Sequence, residues 1–377
     1  MITELSSLSL FLATPAQRLE SYRRTAVAWS RGLTEAEYIQ QQQEQAPTFE
    51  CAKDRKWLVW VLAPREDPQT LNFKCACETY RRPGLILAPN TTTPQDVVCY
   101  GIASVFTPVA ERGKGYAKHM MRLLHWVLSS PQVLLPSSFP TDRWGDPPTR
   151  VADIAGDAQI SALWSDAGDL YSTCGPFGEE RGAGWTIHDP ESTIWDPRCI
   201  GNLTPNLEWE WLNEDTVQDL WDEDVRTIRS ELTSFGPDRF NAYFTFLPSA
   251  GVETFQRDKL RFLWRKEGIT QWGVRVKRQG STDFATWTVE LSGPNPRTLM
   301  LTRLRAHQDS FPIILSRAAE IAKKHDLHQI EMWNLDKSFQ DLAGGKTFVR
   351  DEHLPAVRWY GNNVDLVWVH NEKFCWC

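Results

Sequence analysis

Alternating apolar and polar runs in the N-terminal half of the chain predict short strands and amphipathic helices. The run that begins at Leu8, "LSLFLAT", predicts a strand, and Thr14 with Pro15 is a typical N-cap and first-turn pair for a following helix. Pro47 ends a second predicted helix, whose glutamine run indicates a solvated face. Three further strands are predicted in order: "KWLVWVLAP", "LNFKCACETYRR" and "DVVCYGIASVFTP".

The strongest helical pattern follows the stretch "AERGKGYA". Apolar side chains recur there at three- and four-residue steps: Ala117, Met120, Met121, Leu124, Val127 and Leu128. The polar positions between them are Lys118, His119, Arg122, His125 and Ser129. The first set predicts a face packed on a sheet, and the second predicts a solvated face with two surface histidines. The polar, proline-rich loop 131–150 that follows is a candidate flap over a site.

Patterns farther along the chain predict a second group of elements. "AQISALWSD" predicts a strand, "GDLYSTCG" a short helix or turn, and "GWTIHD" another strand. From Thr204 the composition changes, and "PNLEWEWLNEDTVQDLWDEDVRTIRSEL" predicts an acidic helical stretch. The last predicted elements are, in order, the strands "TWTVELSG" and "RTLMLTRLRA" with a Gly-Pro-Asn-Pro turn between them, the helix "FPIILSRAAEIAKKHD" and the strand "QIEMWN". Their order echoes the first half and indicates an internal repeat.

Length and composition indicate a globular α/β protein with two domains. The 377 residues exceed the usual size of a single hydrophobic core, and the change near Thr204 predicts domains at 1–203 and 204–377. Hydrophobic residues make up 41% and charged residues 24%, which are ordinary values for a folded protein. The formal net charge of −7 lacks the basic excess that nucleic-acid binding requires, so a nucleic-acid partner is not expected.

The eight cysteines are scattered and show no zinc-ligand spacing, so neither a metal site nor a disulfide framework is expected. The N-terminus lacks the basic region and the long apolar run of a signal peptide. No later run approaches the roughly 18 apolar residues that a membrane span needs. Together these features predict a cytoplasmic protein without a membrane partner.

The stretch "AERGKGYA" carries the most specific chemistry in the sequence. A strand that runs through a glycine turn into a helix leaves free backbone N–H groups at the positive end of the helix dipole, an arrangement that suits a pyrophosphate. Gly113 and Gly115 allow an anion to approach the backbone, and Arg112 and Lys114 add positive charge. Spacing alone favours an ordinary strand-to-helix turn, because the GxGxxG and GxxxxGK[ST] patterns are both absent.

The six residues Arg112 to Ala117 resemble the R/Q-x-x-G-x-G/A signature of the Gcn5-related N-acetyltransferases. The longer tract "VFTPVAERGKGYAKHMM" resembles the fourth strand, the pyrophosphate loop and the third helix of that family, and the element order over residues 5 to 200 also matches. The resemblance implies a mixed, mostly antiparallel sheet flanked by helices in the first domain. It implies a second α/β domain that is a degenerate copy, because the chain reads "HQDSF" where a second phosphate loop would lie.

The resemblance also implies roles for individual residues. The main chain of Val105, Phe106 and Thr107 would bind the pantetheine arm and the thioester carbonyl of acetyl-CoA. The residues that would hold the pyrophosphate are Arg112, Gly113, Lys114, Gly115, Tyr116 and Ala117.

Two side chains are candidates for acid and base roles by the same resemblance. Tyr171, in "DLYSTCGPF", matches the tyrosine that protonates the departing thiolate, although Pro176 interrupts the family pattern and a packed aromatic is the alternative. Glu78 is the candidate base for the incoming amine, and a solvent-facing strand glutamate is favoured over it by its position alone. The second domain is expected to contribute to the acceptor site or to form an interface, and Asp365 and Glu331 are then candidates for meeting a cationic acceptor.

The whole plan is similar to fungal lysine acetyltransferases that act on the side-chain amine of free L-lysine. It implies transfer of an acetyl group from acetyl-CoA to a primary amine of a small molecule in a ternary complex, with no metal. Two other functions stay open: acetylation of proteins or peptides, and binding of acyl-CoA without catalysis.

Overall fold

The computed structural model describes residues 4–201, 203, 207–278, 281–291, 296–340, 342, 344–361 and 364–377 of the chain. This part of the chain contains sixteen strands: β1 (Leu8–Leu12), β2 (Trp57–Pro64), β3 (Cys75–Leu87), β4 (Gln95–Phe106), β5 (Ile160–Ser165), β6 (Thr186–Ile187), β7 (Glu191–Trp195), β8 (Trp209–Leu212), β9 (Asn241–Phe246), β10 (Gly273–Arg278), β11 (Ser281–Glu290), β12 (Thr298–Arg305), β13 (Gln329–Trp333), β14 (Lys346–Val349), β15 (Leu354–Trp359) and β16 (Asp365–Trp368). It also contains eight α-helices: α1 (Pro15–Trp29), α2 (Glu35–Gln40), α3 (Tyr116–Leu128), α4 (Thr141–Trp144), α5 (Asp219–Ser234), α6 (Thr254–Glu267), α7 (Phe311–Lys324) and α8 (Lys337–Gln340).

The first sheet has the strand order β1-β2-β3-β4-β5-β15-β6, and β9 pairs with β3 and with β16. Its pairings are antiparallel except for β4 with β5 and β9 with β16. Helix α3 packs on this sheet, and its apolar face joins the sheet residues in one buried cluster. The mixed, mostly antiparallel sheet predicted for the first domain is confirmed.

The second sheet has the order β14-β7-β13-β12-β11-β10-β8 and repeats the local topology of the first. β11 and β12 are antiparallel, as β3 and β4 are, and β12 then pairs in parallel with β13, as β4 does with β5. Helix α7 connects β12 to β13 in the position that α3 occupies between β4 and β5. The predicted strand, strand, helix, strand order of the second half is therefore confirmed, whereas the Gly-Pro-Asn-Pro turn falls largely outside the described residues.

Each half contributes strands to the sheet of the other. β7 precedes residue 203 but pairs with β13 of the second sheet, and β15 lies in the second half of the chain but pairs with β5 of the first. Strands β9 and β16 also join the first sheet from beyond residue 204. The boundary at 203 and 204 stays a prediction, and the strands that cross it tie both halves into shared sheets.

The outer face of α3 is buried, which corrects the prediction of a solvated face with surface histidines. His119 and His125 are both 0% exposed, and Arg122 is 4% exposed. The loop 131–150 covers part of this face, where Phe139 packs edge-on against Trp126 and Trp144 packs edge-on against His119. His125 is covered by Trp185, which stacks on its ring. The loop is therefore a cover for α3 and not the predicted flap over a site.

Burial determines the state of both histidines. It lowers the pKa of His125 to about 3 and that of His119 to about 4. The neutral His125 ring donates from Nε2 to the carbonyl of Cys174 (2.9 Å), so its Nδ1 accepts the hydroxyl of Tyr360 (2.8 Å). His125 therefore has a structural role, since it links α3 to two other segments.

The predicted acidic helical stretch after Thr204 is partly wrong. Residues 209–212 form strand β8, which pairs with β10, and the helix α5 begins only at Asp219. The two tryptophans Trp209 and Trp211 alternate with glutamates, and this period of two is typical of a strand. Residues 241–278, for which the sequence patterns predicted no element, contain β9, α6 and β10.

Candidate active site

β4 and β5 diverge at one end of the first sheet. They pair in parallel from Cys99↔Ile160 to Ile102↔Leu163, and beyond that ladder β4 continues toward Phe106 without β5 as a partner. On its other side β4 has a bulge, where the register with β3 shifts and Ser104 takes a positive φ of 53°. A bulge leaves backbone groups without a ladder partner. The divergence therefore exposes backbone of β4 to the space beside it.

The stretch after β4 forms an open turn that leads into α3. Gly113 and Gly115 have φ values of 77° and 80°, in the left-handed region that favours glycine. A Cβ added at Gly113 would meet nothing within 4 Å, and one at Gly115 would lie 3.7 Å from Leu5 Cδ1. The first backbone hydrogen bond of the helix runs from His119 N to Gly115 O, so the N–H groups of residues 116–118 have no partner within the helix.

These features fit the pyrophosphate of a CoA ester. Free N–H groups at the start of a thirteen-residue helix attract an anion, and two glycines without side chains leave room for it. The basic side chains are already engaged within the turn: Arg112 Nε donates to the carbonyl of Thr107 (3.1 Å), and Lys114 forms an ion pair with Glu111 (2.9 Å). We call residues 113–118 the cradle. Its backbone N–H groups, and not its basic side chains, are therefore the main groups that would hold an anion.

The other residues of the predicted donor site have different surroundings. Val105 and Arg112 line the cavity described below. Phe106 packs edge-on against Trp29, and the hydroxyl of Thr107 donates to Cys75 Sγ (3.2 Å). Tyr116 is buried in the core, with 2% of its surface exposed, and Ala117 packs against the same core.

A cavity of about 550 Å³ opens where β4 and β5 diverge. Both candidate acid–base residues, Tyr171 and Glu78, line it together with Ile102, Ser104 and Val105 of β4. This size lies within the range of small-molecule sites in proteins, which is about 300–1,000 Å³. Because the family resemblance implies that role for it, we call it the acetyl-transfer cavity, and the two candidates, which lie far apart in the sequence, both line it.

Tyr171 lies in a single turn of 3-10 helix, Leu170–Thr173, and this confirms the predicted short helix or turn. The turn is fixed because the carbonyl of Tyr171 accepts the backbone N–H groups of Cys174 (3.1 Å) and Trp185 (3.1 Å). Burial, followed by the neighbouring thiols of Cys75 and Cys174, raises the pKa of the Tyr171 phenol. Its hydroxyl therefore keeps its proton at neutral pH and is available as a donor.

Glu78 is not the solvent-facing glutamate that its position alone favoured. Only 9% of its surface is exposed, and Oε2 accepts the hydroxyl of Tyr80 at 2.7 Å. It lies on β3 beside the bulge, where the register shifts between Ala76 and Glu78. A carboxylate held in this way faces the cavity with one oxygen already oriented by a neighbour.

The far wall of the cavity comes from the second half of the chain, from residues that the sequence patterns did not single out. Its contributing residues are Phe255, Lys259, Phe262, His353, Trp376 and Cys377. Lys259 lies on α6, with Nζ 5.4 Å from the ring centre of Phe255, and forms no ion pair with any described residue. The ending of α6 at Gly268, with φ of 68°, was the one local signal for this helix.

Charges of both signs line the cavity. Asp166 forms an ion pair with His353 Nδ1 (3.1 Å) and accepts its backbone N–H (2.8 Å). Arg31 adds a second cation that, among the described residues, is in no ion pair. The glutamine run also contributes: Gln41 and Gln42 line the cavity, and Gln42 is 6% exposed, so the predicted solvated face is partly wrong. Neither Asp365 nor Glu331, the predicted acidic contacts, lies in this lining.

Two other features, a metal-binding cluster and a membrane-spanning helix, are absent from the residues that the structure describes. Among the residues that the structure describes, no group of three or more His, Cys, Asp or Glu side chains could hold a metal ion. None of the helices in the described ranges is long and apolar enough to span a membrane.

Comparisons with known proteins agree with this geometry. A family model described as the LYC1 GNAT-like C-terminal domain matches residues 201–377. A lysine acetyltransferase of Yarrowia lipolytica is 33% identical over an alignment of 340 positions, and the match covers 80% of this chain and 84% of that protein. An uncharacterized protein of Saccharomyces cerevisiae is 24% identical, and the match spans 86% of this chain and 83% of that protein.

Solved structures show the same fold at low identity. A conserved protein of unknown function from Enterococcus faecalis has a TM-score of 0.55 and 8% identity, with 94% of this chain and 72% of that chain covered. A GCN5-related N-acetyltransferase from Anabaena variabilis has a TM-score of 0.50 and 12% identity, with 94% and 73% covered. With the identity to the Yarrowia enzyme, these findings show that the chain belongs to the Gcn5-related N-acetyltransferase family and is an acetyltransferase similar to fungal lysine acetyltransferases.

Proposed function

We propose that the protein transfers an acetyl group from acetyl-CoA to the side-chain amine of free L-lysine or of a lysine-like metabolite. The observation that carries this proposal is the acetyl-transfer cavity, which combines carboxylates and unpaired cations beside the exposed backbone of β4. The name of the Yarrowia relative, a lysine acetyltransferase, supports lysine as the acceptor. The eight unpaired cysteines, of which seven are buried, support a reducing compartment such as the cytoplasm.

The donor side of the proposal rests on the cradle and on β4. Bound acetyl-CoA would supply an activated thioester, with its pyrophosphate held by the N–H groups at the start of α3. The bulge at Ser104 and Val105 leaves backbone N–H groups that can donate to the thioester oxygen as negative charge develops there. Arg112 lines the cavity between these two parts and supports the same path.

The acid and base roles follow from burial and hydrogen bonding. Glu78 accepts a proton from the incoming ammonium, either directly or through a water, because only the neutral amine is nucleophilic. Tyr171 gives a proton to the departing thiolate, because its raised pKa keeps the hydroxyl protonated until then. In this proposal Glu78 removes a proton from the amine and Tyr171 supplies a proton to the thiolate, within a single cavity.

Direct attack in a ternary complex is supported by the state of the nearby thiols. Burial raises the pKa of Cys75 to about 12, and burial also raises the pKa of Cys377 in the cavity wall. Both side chains therefore stay protonated at neutral pH, and a protonated thiol is a poor nucleophile. An acetyl-cysteine intermediate is for this reason not part of the proposal.

The charges of the cavity favour an amino acid as the acceptor. An L-lysine carries two ammonium groups and one carboxylate, and the lining offers Glu78 and Asp166 for the former and Lys259 for the latter. Lys259 comes from α6, so the second half of the chain supplies the group that distinguishes a free amino acid from a plain amine. We therefore propose that residues 204–377 recognise the acceptor.

Replacing Lys259 tests the acceptor assignment. Lys259→Met keeps the length of the side chain and removes its charge, and we expect the KM for L-lysine to rise by about 10- to 100-fold. That range corresponds to one lost charge-assisted hydrogen bond of about 1.5–3 kcal/mol. The KM for 1,5-diaminopentane, which has no carboxylate, should stay within about twofold of wild type, since it makes no such bond.

A matched control is available on the same helix. Lys266→Met removes an exposed cation in the last turn of α6, outside the lining of the cavity, and should leave both KM values unchanged. Equal losses for lysine and diamine in Lys259→Met would contradict the carboxylate assignment, because they would indicate a general effect on the site.

A further inference from the structure

A second cavity, of about 770 Å³, lies in the second sheet at the place that corresponds to the acetyl-transfer cavity. β12 and β13 pair in parallel from Thr298↔Gln329 to Leu301↔Met332, and both strands continue beyond that ladder, as β4 and β5 do. Helix α5 and the segment 368–372 complete the walls. The two cavities share no lining residue, so the second is a separate space.

The loop before α7 does not offer this cavity a phosphate site. Its donors are already bound by Asp283, which accepts the backbone N–H of His307 (3.1 Å) and the hydroxyl of Ser310 (2.5 Å). The ring of His307 also contacts the same carboxylate at 3.0 Å. A carboxylate of the chain therefore occupies the position that an anion would take, and a phosphate would be repelled by it. A second CoA ester is not the ligand that this cavity fits.

The lining of the cavity is strongly acidic. Seven carboxylates line it: Asp189, Glu223, Asp224, Glu231, Asp283, Asp336 and Glu372. Its one lining guanidinium, Arg305, is fully engaged by Asp224 and Glu231, and Arg303 behind the wall pairs with Asp224 and Glu372. The positive groups are these two arginines and, if both were charged, His307 and His370. The seven lining carboxylates would outnumber these four groups.

The acidic groups differ in how far they are already neutralised. Asp224, Glu231 and Glu372 form the inner ion-pair network with the two arginines. Glu223 and Asp336 are exposed at the rim and form no ion pair with any described residue. These two rim carboxylates leave negative charge that the chain itself does not compensate.

One buried side chain in the wall, Asn371, is independent evidence for a ligand that carries a hydrogen-bond donor. Asn371 is 3% exposed and lines the cavity, and its Nδ2 donates to the carbonyl of His188 at 3.1 Å. That bond fixes the orientation of the amide, so its oxygen is Oδ1, which has no partner among the described residues. A buried acceptor without a donor destabilises the folded protein, so a ligand with an N–H group would relieve that cost.

The size of the cavity fits an organic molecule, since its volume is that of a small-molecule site. Among the described residues, no group of three or more His, Cys, Asp or Glu side chains is arranged to hold a metal ion. We propose that this cavity binds a small organic cation with one or more ammonium groups, of the class of aliphatic diamines and polyamines. The ammonium groups lie against the rim carboxylates and donate to Asn371.

Titration calorimetry with spermidine tests this proposal on the full chain. The double variant Glu223→Gln with Asp336→Asn removes both rim charges, and we expect the Kd of spermidine to rise by about tenfold or more, the effect of about 1.4 kcal/mol. The matched control, Glu66→Gln with Asp153→Asn, also removes two exposed carboxylates but lies outside both cavities. It should bind spermidine as wild type does. The melting temperatures of both variants verify that they are folded.

A third variant distinguishes spermidine binding in the second cavity from binding in the acetyl-transfer cavity. Glu78→Gln should retain the binding event that the rim variant loses. The proposal is overturned if wild-type protein shows no spermidine binding, if the rim variant binds as tightly as wild type, if the control is weakened equally, or if Glu78→Gln removes the event.

Discussion

Replacing Gly115 with valine is expected to abolish the binding of acetyl-CoA. Gly115 has φ of 80° at the start of α3, where a β-branched residue is strained, and the added methyl groups would fill the space in front of the helix N–H groups. Loss of two charge-assisted hydrogen bonds, at about 1.5–3 kcal/mol each, would raise the Kd by more than about 100-fold. Calorimetric titration of acetyl-CoA measures this directly.

The control for this variant has the same backbone strain without the cradle. Gly236 follows α5, has φ of 67°, and would meet nothing within 4 Å if a Cβ were added. Gly236→Val should be destabilised by a similar amount and bind acetyl-CoA normally. If Gly115→Val is folded and binds acetyl-CoA with wild-type affinity, the cradle at residues 113–118 is the wrong site.

Removing the hydroxyl of Tyr171 is expected to lower kcat by about 100-fold or more, within the range of about 10²–10⁴ for a general acid. Tyr171→Phe keeps the ring packed in its turn and removes only the proton that the departing thiolate needs. The KM for acetyl-CoA and the Kd of CoA should each stay within about threefold of wild type, because the ring packs as before. Steady-state kinetics together with a CoA titration separate the two effects.

A second tyrosine gives the matching control. Tyr243 lies on β9 outside the acetyl-transfer cavity, and its hydroxyl donates to Asp238 at 2.8 Å. Tyr243→Phe should leave kcat unchanged. An equal fall in both variants, or a wild-type kcat in Tyr171→Phe, would remove Tyr171 from the acid role.

The parts of the fold that the sequence predicted well are those encoded by contiguous residues. The three-residue and four-residue apolar steps of α3 and the glycines before it are local features, and the structure has the helix beginning at Tyr116. The divergence of β4 from β5 follows from that element order once the family resemblance is recognised. The turn at Gly113 and Gly115 could also be predicted, because it is encoded by contiguous residues.

The burial of polar side chains could not be predicted from α3 alone. His119 and His125 occupy polar positions of the helix, but Trp144 of the loop 131–150 packs against His119, and Trp185 stacks on His125. Whether a loop covers a helix depends on contacts between segments, and the periodicity of the helix does not contain that information.

The individual residues of the far wall of the acetyl-transfer cavity were missed for a related reason. Lys259 and His353 lie more than 80 residues from Tyr171 in the sequence, and strand β15 reaches the first sheet by pairing with β5. Such pairings between distant segments leave no local pattern. The acceptor side of the site was therefore the part that only the structure could bring together with Glu78.

The central claim is acetyl transfer from acetyl-CoA to free L-lysine. Its most direct measurement is the rate of CoA release from purified protein with acetyl-CoA and, in separate reactions, L-lysine, a lysine-containing peptide or 1,5-diaminopentane. We predict CoA release that depends on the acceptor, with the highest kcat/KM for L-lysine and a product acetylated at the side-chain amine. A preference for the peptide would indicate a protein acetyltransferase, and bound acetyl-CoA without CoA release for any amine would contradict the claim of catalysis itself.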